Sequence, residues 1–398
     1  MSLNSGDFHY YSIPEGLVEE VTRYEPGGFH PVVIGDIIEG YAGHYRIMHK
    51  LGFGTYATVW LAQRIDQSRG FVALKITTSG DQGHREADML DAAAAAARAD
   101  SEPSNILTSL DKFQVHGPNG THAVLVTEVV APLTSLGFRH QPPRWRKLVA
   151  YGLVKALIQL HEAEVVHGDL HLGNVGLAMP QLAEQNPDDV MQDIYHCEIT
   201  LVLPRNPINQ TPSLPPYVLE PCKLGMYYHQ IAGSADPQPK LYDFGNARRF
   251  GESPSGYNAC AIEACPPEVA YARAVDGIFS PPVEPPADIW ALGTAIFELL
   301  AAFTPFRGLG SVGLPEYMAR MAGHVPAQWS AWWETESLSP VCADEWWGEN
   351  RPYIRRGCAN DDDTEAAIRL LKKILLLDPC ARPSPEEIIR DPWFQDVV

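Results

Sequence analysis

Short alternating runs fill the first third of the chain, and long amphipathic runs fill the rest. After an irregular stretch over residues 1–44, with turn signals at Pro26-Gly27-Gly28 and His30-Pro31, the apolar positions change pattern. Residues 45–51, 58–63 and 71–76 read as consecutive antiparallel strands joined by short loops. Residues 85–99 carry an alanine run, and alanine loses no side-chain entropy in a helix, so a helix is expected there. Residues 122–130 return to strand character. Past Pro142-Pro143 the period lengthens: residues 147–162 set Leu148, Tyr151, Leu153, Val154, Leu157, Ile158 and His161 on one broad apolar face. Ten prolines between 180 and 240 make a poor setting for long helices. Helical periodicity resumes at 286–302, 364–377 and 385–391. Trp329, Trp332, Trp333, Trp346 and Trp347 crowd one region and are expected to pack against helices. No internal repeat is visible. The pattern predicts an α+β fold, a small sheet-rich lobe followed by a larger helical one.

Composition narrows the partners. Of 398 residues, 45% are hydrophobic and 20% charged, which is ordinary globular usage. Lys+Arg 30 against Asp+Glu 49 gives a net charge of −19, which repels phosphate backbones and anionic membrane surfaces. No direct nucleic-acid partner and no membrane are therefore expected. Seven cysteines, an odd number without Cys-x-x-Cys spacing, read as reduced thiols. The first residues show neither the basic nor the apolar segment of a secretory signal. The most apolar run, 289–303, contains Glu298 and is too short to span a bilayer. An intracellular monomer, cytoplasmic and/or nuclear, is the expectation.

Three signals carry chemistry. Leu51-Gly52-Phe53-Gly54-Thr55-Tyr56-Ala57-Thr58-Val59 lies between two strands, and its glycines allow a tight hairpin to bring backbone N–H groups close to phosphate oxygens. In Val72-Ala73-Leu74-Lys75, Lys75 sits on the next strand and can reach phosphate if a carboxylate holds it; Glu86 is the candidate. His167-Gly168-Asp169-Leu170-His171-Leu172-Gly173-Asn174 and Asp243-Phe244-Gly245 supply the rest. Asp169 could accept a hydroxyl proton, and Asn174 and Asp243 offer the hard oxygen donors that magnesium prefers. Each alone reads equally as a turn residue capping local backbone. Together, in this order, they are the parts of an in-line phosphoryl transfer, which needs positioning and charge neutralisation more than covalent chemistry.

This set resembles the protein-kinase signature. Pro266-Pro267-Glu268 stands in the place of Ala-Pro-Glu, Asp288-Ile289-Trp290-Ala291-Leu292-Gly293 resembles the family's Asp-x-Trp-x-x-Gly helix, and Leu377-Asp378-Pro379-Cys380-Ala381-Arg382-Pro383 resembles its closing helix. Within the family the chain resembles the SR-protein kinase branch of the CMGC group. The residues carrying this are the leader Tyr24-Glu25-Pro26-Gly27-Gly28-Phe29-His30-Pro31-Val32-Val33-Ile34-Gly35-Asp36, the turn Gly117-Pro118-Asn119-Gly120, Asp243-Phe244-Gly245-Asn246-Ala247, and a long spacer of 68 residues between Asn174 and Asp243.

The resemblance implies a bilobal protein-kinase-like fold: an extension at 1–44, an N-lobe at 45–128 and a C-lobe at 129–398 with the spacer inserted at about 178–238. It implies a serine/threonine protein kinase using ATP and Mg²⁺, acting on protein substrates, Arg/Ser-rich ones included. Lys75, held by Glu86, would contact the α/β-phosphates. Asn174 and Asp243 would hold Mg²⁺, and Asp169 would orient the attacking hydroxyl. Leu51, Gly52, Gly54, Val59 and Ala73 would line the nucleotide, with Glu128 to Val130 as hinge and Thr127 guarding the pocket behind it. Leu90, His167 and Phe244 match members of the hydrophobic stack that links the lobes, and Glu268 should pair with Arg382.

The chain also departs from the pattern. Ala57 replaces the third glycine. Gly168 replaces the arginine that meets a phosphorylated activation loop, so activity independent of phosphorylation at Ser253, Ser255 or Tyr257 is expected. His171 stands where the family keeps a lysine, residues 258–262 contain no threonine to accompany it, and Cys265 replaces an arginine. His-Gly-Asp-Leu-His-x-Gly-Asn also resembles the small-molecule phosphotransferases related to aminoglycoside and choline kinases. A pseudokinase scaffold is the alternative outside catalysis. Acidic residues Asp344, Glu345, Glu349 and Asp361-Asp362-Asp363 could line a groove for basic peptide or simply form a solvated face.

Overall fold

The computed structural model describes all residues except 1–3, 10–15, 67–69, 81, 98–103, 195–197, 253–260, 309, 311–312, 336–341 and 398. Ser253, Ser255 and Tyr257, and the cysteines Cys197 and Cys260, lie outside the described residues. The chain divides into two compact units: Met1–Asp91 with Leu107–Ala131 and Ala178–Ala235, and Ala92–Ile106 with Pro132–Leu177 and Asp236–Val398.

The first unit is built on a six-stranded antiparallel sheet. Its strands are β1 (Ile37–Glu39), β2 (His44–Phe53), β3 (Ala57–Arg64), β4 (Gly70–Thr77), β5 (Ser109–Gly117) and β6 (Gly120–Thr127), in the spatial order β1-β2-β3-β4-β6-β5. The three expected strand runs and the strand near 122 are all present. The pattern missed the two edge strands, β1, which falls in the stretch read as irregular, and β5, in which only Phe113 is buried, so its sequence carries little apolar signal. Helix α1 (Gln82–Ala97) follows β4 and uses the alanine run. One face of the sheet packs Tyr45, Ile47, Trp60, Leu74, Ile76 and Val126 into a core.

The spacer belongs to this unit. The expectation that it is an insertion in the helical lobe is corrected by what it packs on. Strand Ile199–Leu201 pairs with Tyr217–Leu219, Leu219 enters the sheet core, and Cys222 N–H donates to the Lys50 carbonyl at 2.9 Å. The leader joins it: Phe8–His9 pairs with Leu203–Pro204, and Phe8, Val18, Val21, Tyr24 and Phe29 form a second core with Val202, Leu214 and Val218. Asn119 ties the two together, its amide donating to the carbonyls of Phe29 (2.7 Å) and Ser213 (3.0 Å). The prolines do exclude long helices, yet short strands and the helices Pro187–Ile194 and Leu224–Ala232 still bury apolar side chains.

Two bulges in β2 decide how the leader is held. An extra residue between Ile47 and His49, and another between Lys50 and Gly52, break the strict alternation, so His49 and Lys50 are both buried. Lys50 is fully buried against Glu19 of the leader as an ion pair, with its ammonium 5.0 Å from the centre of the Trp60 ring. Tyr24 Oη donates to Glu19 Oε1 at 2.5 Å. Burial lowers the Lys50 pKa, and Glu19 opposes that.

The second unit is helical. Helices α2 (Pro143–Glu162), α3 (Pro267–Ala274), α4 (Pro285–Ala301) and α5 (Asp361–Ile374) are its main elements. α4 is apolar nearly all round and buried nearly throughout, as such a helix must be. Gly293 lets it sit close to its neighbour: a Cβ there would lie 2.7 Å from Ile374 and Leu375 side-chain atoms. A hairpin of β7 (Val175–Ala178) and β8 (Pro239–Leu241) pairs Val175 with Leu241. Of the five crowded tryptophans, Trp329, Trp346 and Trp347 are buried as expected, whereas Trp332 and Trp333 are half-buried.

Candidate active site

The predicted site residues fall into two sets, one in each unit. In the first, Lys75 lies on β4 opposite Val59 of β3. Its ammonium meets Glu86 Oε1 of α1 at 2.6 Å, and Glu86 is buried. The hairpin between β2 and β3 is closed by Gly54 N–H donating to the Ala57 carbonyl at 2.8 Å. A Cβ added at Gly52 or Gly54 would meet nothing within 4 Å, and neither has a positive φ. The protein's own packing therefore does not require these glycines, whereas close approach of a ligand to the backbone would. Leu51 and Val59 are half-buried and Ala73 is buried. After β6, Glu128 takes the Thr108 N–H on its carboxylate at 2.9 Å, and the Thr127 hydroxyl donates to the Glu128 carbonyl at 3.1 Å. Val130 begins the short strand Val130–Pro132.

In the second unit a buried carboxylate organises the loop that carries Asp169. Asp288, at the start of α4, accepts the N–H groups of His167 (2.8 Å) and Gly168 (2.9 Å), and His161 Nε2 lies 3.2 Å away. Complete burial would raise its pKa. The hydrogen bond and charge of His161, with the Gly168 N–H, outweigh that and hold it below the ordinary value. Sequence reading noted Asp288 only as a motif member, because its role depends on a contact 120 residues away.

Gly168 has φ +75, a conformation that L side chains resist. Its replacement of arginine is therefore also a backbone choice. A cation does stand nearby: Arg248 Nη2 lies 4.0 Å from where a Gly168 Cβ would be, a neighbour that sequence reading missed. The short strand Val165–Val166 pairs with Arg248–Arg249, which sets the segment after Asp243 alongside the Asp169 loop. His167 and Phe244 rings meet edge-on at 5.1 Å, and Leu90 is buried in its own place.

Asp169, His171, Asn174 and Asp243 are gathered here by backbone pairing. Asn174 Nδ2 donates to the Asp169 carbonyl at 2.9 Å, and Tyr242 N–H donates to the Asn174 carbonyl at 3.0 Å, with Tyr242 Oη on the Gly173 carbonyl at 2.7 Å. Asp243 is exposed and left-handed, φ 64, beside a buried Phe244. Such a backbone costs about 1–3 kcal/mol and is typically retained where a site needs the side chain aimed outward. The donor set suits magnesium: the Asn174 amide nitrogen is engaged, leaving its oxygen as donor, and Asp243 adds an exposed carboxylate. Among the described residues no group of three or more His, Cys, Asp or Glu could hold a metal, so phosphate oxygens or water would have to complete the shell.

His171 Nδ1 accepts the Gly173 N–H at 3.0 Å, so a neutral ring carries its proton on Nε2. Burial lowers its pKa, only partly opposed by Asp169. A Cβ at Gly173 would lie 2.6 Å from the His171 ring, so the histidine and this glycine depend on each other. Away from the loop, Arg382 makes the expected pair with Glu268, at 2.9 Å and 2.6 Å in a two-pronged contact.

Residues 231–394 match the protein kinase domain family. A serine/threonine protein kinase of Aspergillus fumigatus is 25% identical over 94% of this chain and 90% of its own length. Protein kinase dsk1 of Schizosaccharomyces pombe is 35% identical over 42% of this chain and 32% of its own length. Human SRSF protein kinase 3 is 31% identical over 40% of this chain and 30% of its own length. The chain is thus similar to protein kinases, with SRSF protein kinase 3 and dsk1 matching about two fifths of it. Two acids of the Asp361–Asp363 run are held in ion pairs. Asp361 pairs with Arg351 and Arg355, and Asp363 with Lys147. Asp344, Glu345 and Glu349 are exposed on one helix, Ala343–Gly357. No helix among the described residues is long and apolar enough to cross a membrane.

Proposed function

We propose that this serine/threonine kinase transfers the ATP γ-phosphoryl group to hydroxyls in basic, Arg/Ser-rich protein segments, with Asp169 as the group that accepts the hydroxyl proton. The observation that supports this most is the Asp169 loop itself: a carboxylate with one hard oxygen donor, Asn174, on the same loop and a second, Asp243, on the segment that Tyr242 N–H ties to the Asn174 carbonyl. Magnesium, which those two would hold, supplies charge neutralisation of the phosphates. Lys75, fixed by Glu86, gives a cation for the α/β-phosphates, and the open hairpin at Gly52 and Gly54 gives backbone N–H groups. His171 contributes an Nε2–H hydrogen-bond donor where the family has a full charge, which suits slow or selective turnover. The exposed acids Asp344, Glu345 and Glu349 favour a basic substrate, and the proposal has the enzyme acting inside the cell as a monomer.

The test is radiolabel transfer by wild type and Asp169→Ala. Arg/Ser-rich peptides should be labelled, and acidic peptides, aminoglycosides and amino-alcohols should not. Asp169→Ala should lower the rate about 10²–10⁴-fold, the usual worth of a positioned base. Nucleotide binding without Asp169-dependent turnover would identify a scaffold instead, and labelling of the small alcohols alone would identify a small-molecule phosphotransferase.

A further inference from the structure

Both oxygens of the Asp169 carboxylate are engaged by groups that no motif spacing announces. Asn246 Nδ2 donates to Oδ2 at 3.1 Å, and Ala261 N–H donates to Oδ1 at 3.0 Å. A carboxylate on a short side chain can turn about its last torsion with little cost. One donor on each oxygen, arriving from separate segments, fixes the plane. Each oxygen has a second lone pair, so both donors can stay in place while a substrate hydroxyl approaches.

Other side chains in this loop are not available for that task. His171 turns its Nδ1 to the Gly173 N–H, and residues 258–262 carry no threonine. Asn174 spends its amide on the Asp169 backbone carbonyl rather than on the carboxylate. Asn246, by contrast, is held on both sides. It ends the turn Phe244–Asn246, and Phe244 two residues before it and Ala247 directly after it are each 1% exposed. The paired strands Val165–Val166 and Arg248–Arg249 bring that turn to the loop. A donor presented from so constrained a turn costs little further ordering, and an amide donating to an ionised acceptor makes the stronger kind of hydrogen bond.

We propose that Asn246 is a positioning residue of this kinase, whose amide sets the rotation of the Asp169 carboxylate for taking the substrate's hydroxyl proton. This rests on the kinase reading above and adds to it the residue that orients the base. Because the contact is to the base and not to the nucleotide, its loss should appear in kcat and not in the KM for ATP.

The experiment compares the full chain with Asn246→Ala, Asn246→Gln and Asn246→Asp, reading kcat, KM for ATP and the unfolding midpoint. Asn246→Ala should lower kcat about tenfold, roughly the factor one charge-assisted hydrogen bond carries, with KM for ATP and the midpoint unchanged. Asn246→Gln, which keeps the amide donor, should recover part of the loss. Asn246→Asp keeps the shape but sets a carboxylate against Asp169, so it should lose more than alanine does; it carries the test if Asn246→Ala unfolds. Wild-type turnover with kcat unaltered in Asn246→Ala, a KM for ATP that rises in step with the loss, or a glutamine variant no better than alanine would overturn the proposal alone. A wild type with no Asp169-dependent turnover overturns the kinase reading and this proposal with it.

Discussion

The leader contact and the Asp169 loop both bury charge, but they do so differently. At the leader, Glu19 and Lys50 come from an irregular segment and a bulged strand and are sealed in an apolar surround with Trp60. At the loop, Asp288 is as deeply buried, yet it faces two backbone N–H groups and a histidine rather than a cationic partner of full charge. The first arrangement depends on two side chains keeping each other company; the second distributes one charge over several fixed donors. An ion pair sealed from water is fragile to loss of either member, whereas a carboxylate held by backbone survives loss of any single side chain better.

The sharpest way to break this contrast is Lys50→Met, which leaves the Glu19 carboxylate buried without its cation. It should cost about 3–5 kcal/mol in denaturant unfolding, and Glu19→Leu in the same chain should restore most of it. Failure of the second change to rescue would show that the leader is held by something other than this pair.

Acid should act on the same region next. His30 of the leader packs edge-on to His122 at 4.8 Å, and burial, then the His122 charge, lowers its pKa to about 4. The unfolded chain takes up a proton near 6.5 that the folded chain refuses until about 4. The stability from neutral His30 is therefore complete above about 6.5, falls as pH drops, and is gone below about 4, a range of roughly 3 kcal/mol. His30→Leu should flatten the pH dependence of the unfolding midpoint across that window. An unchanged slope would assign the acid sensitivity elsewhere.

The smallest effect belongs to the loop. Gly168→Ala forces a side chain into φ +75 and should cost about 1–2 kcal/mol in unfolding, without the rescue by a second site that the leader pair allows. A neutral substitution would mean that the backbone there relaxes, and Asp288 would lose its place as the loop's anchor.

How much of this could be read beforehand varies by element. The strands around Lys75 and the helix carrying Glu86 were legible because a hairpin and its neighbouring strand are local, and the Lys75–Glu86 pair followed. The Glu268–Arg382 pair was legible only through the resemblance. β5 was not legible, since an edge strand with polar faces gives no alternation worth reading. The spacer was misplaced because its prolines showed what it could not form and nothing in its spacing showed which lobe it would cover. Arg248 and Asn246 were missed as site neighbours because both reach the loop through a two-residue strand pairing, too short to leave a pattern.

The sequence by itself determined the chemistry on offer: which oxygens, which ammonium, which glycines, and their order along the chain. Those are properties of residue types and short spacings. Only the tertiary structure decided what holds them: Asp288 under the loop, Asn246 and Ala261 on the two oxygens of Asp169, and a leader and spacer sharing one small core on the sheet unit. Such contacts join segments tens to hundreds of residues apart. Closing those distances is driven by burial of apolar surface summed over the whole unit, which no local window of sequence contains.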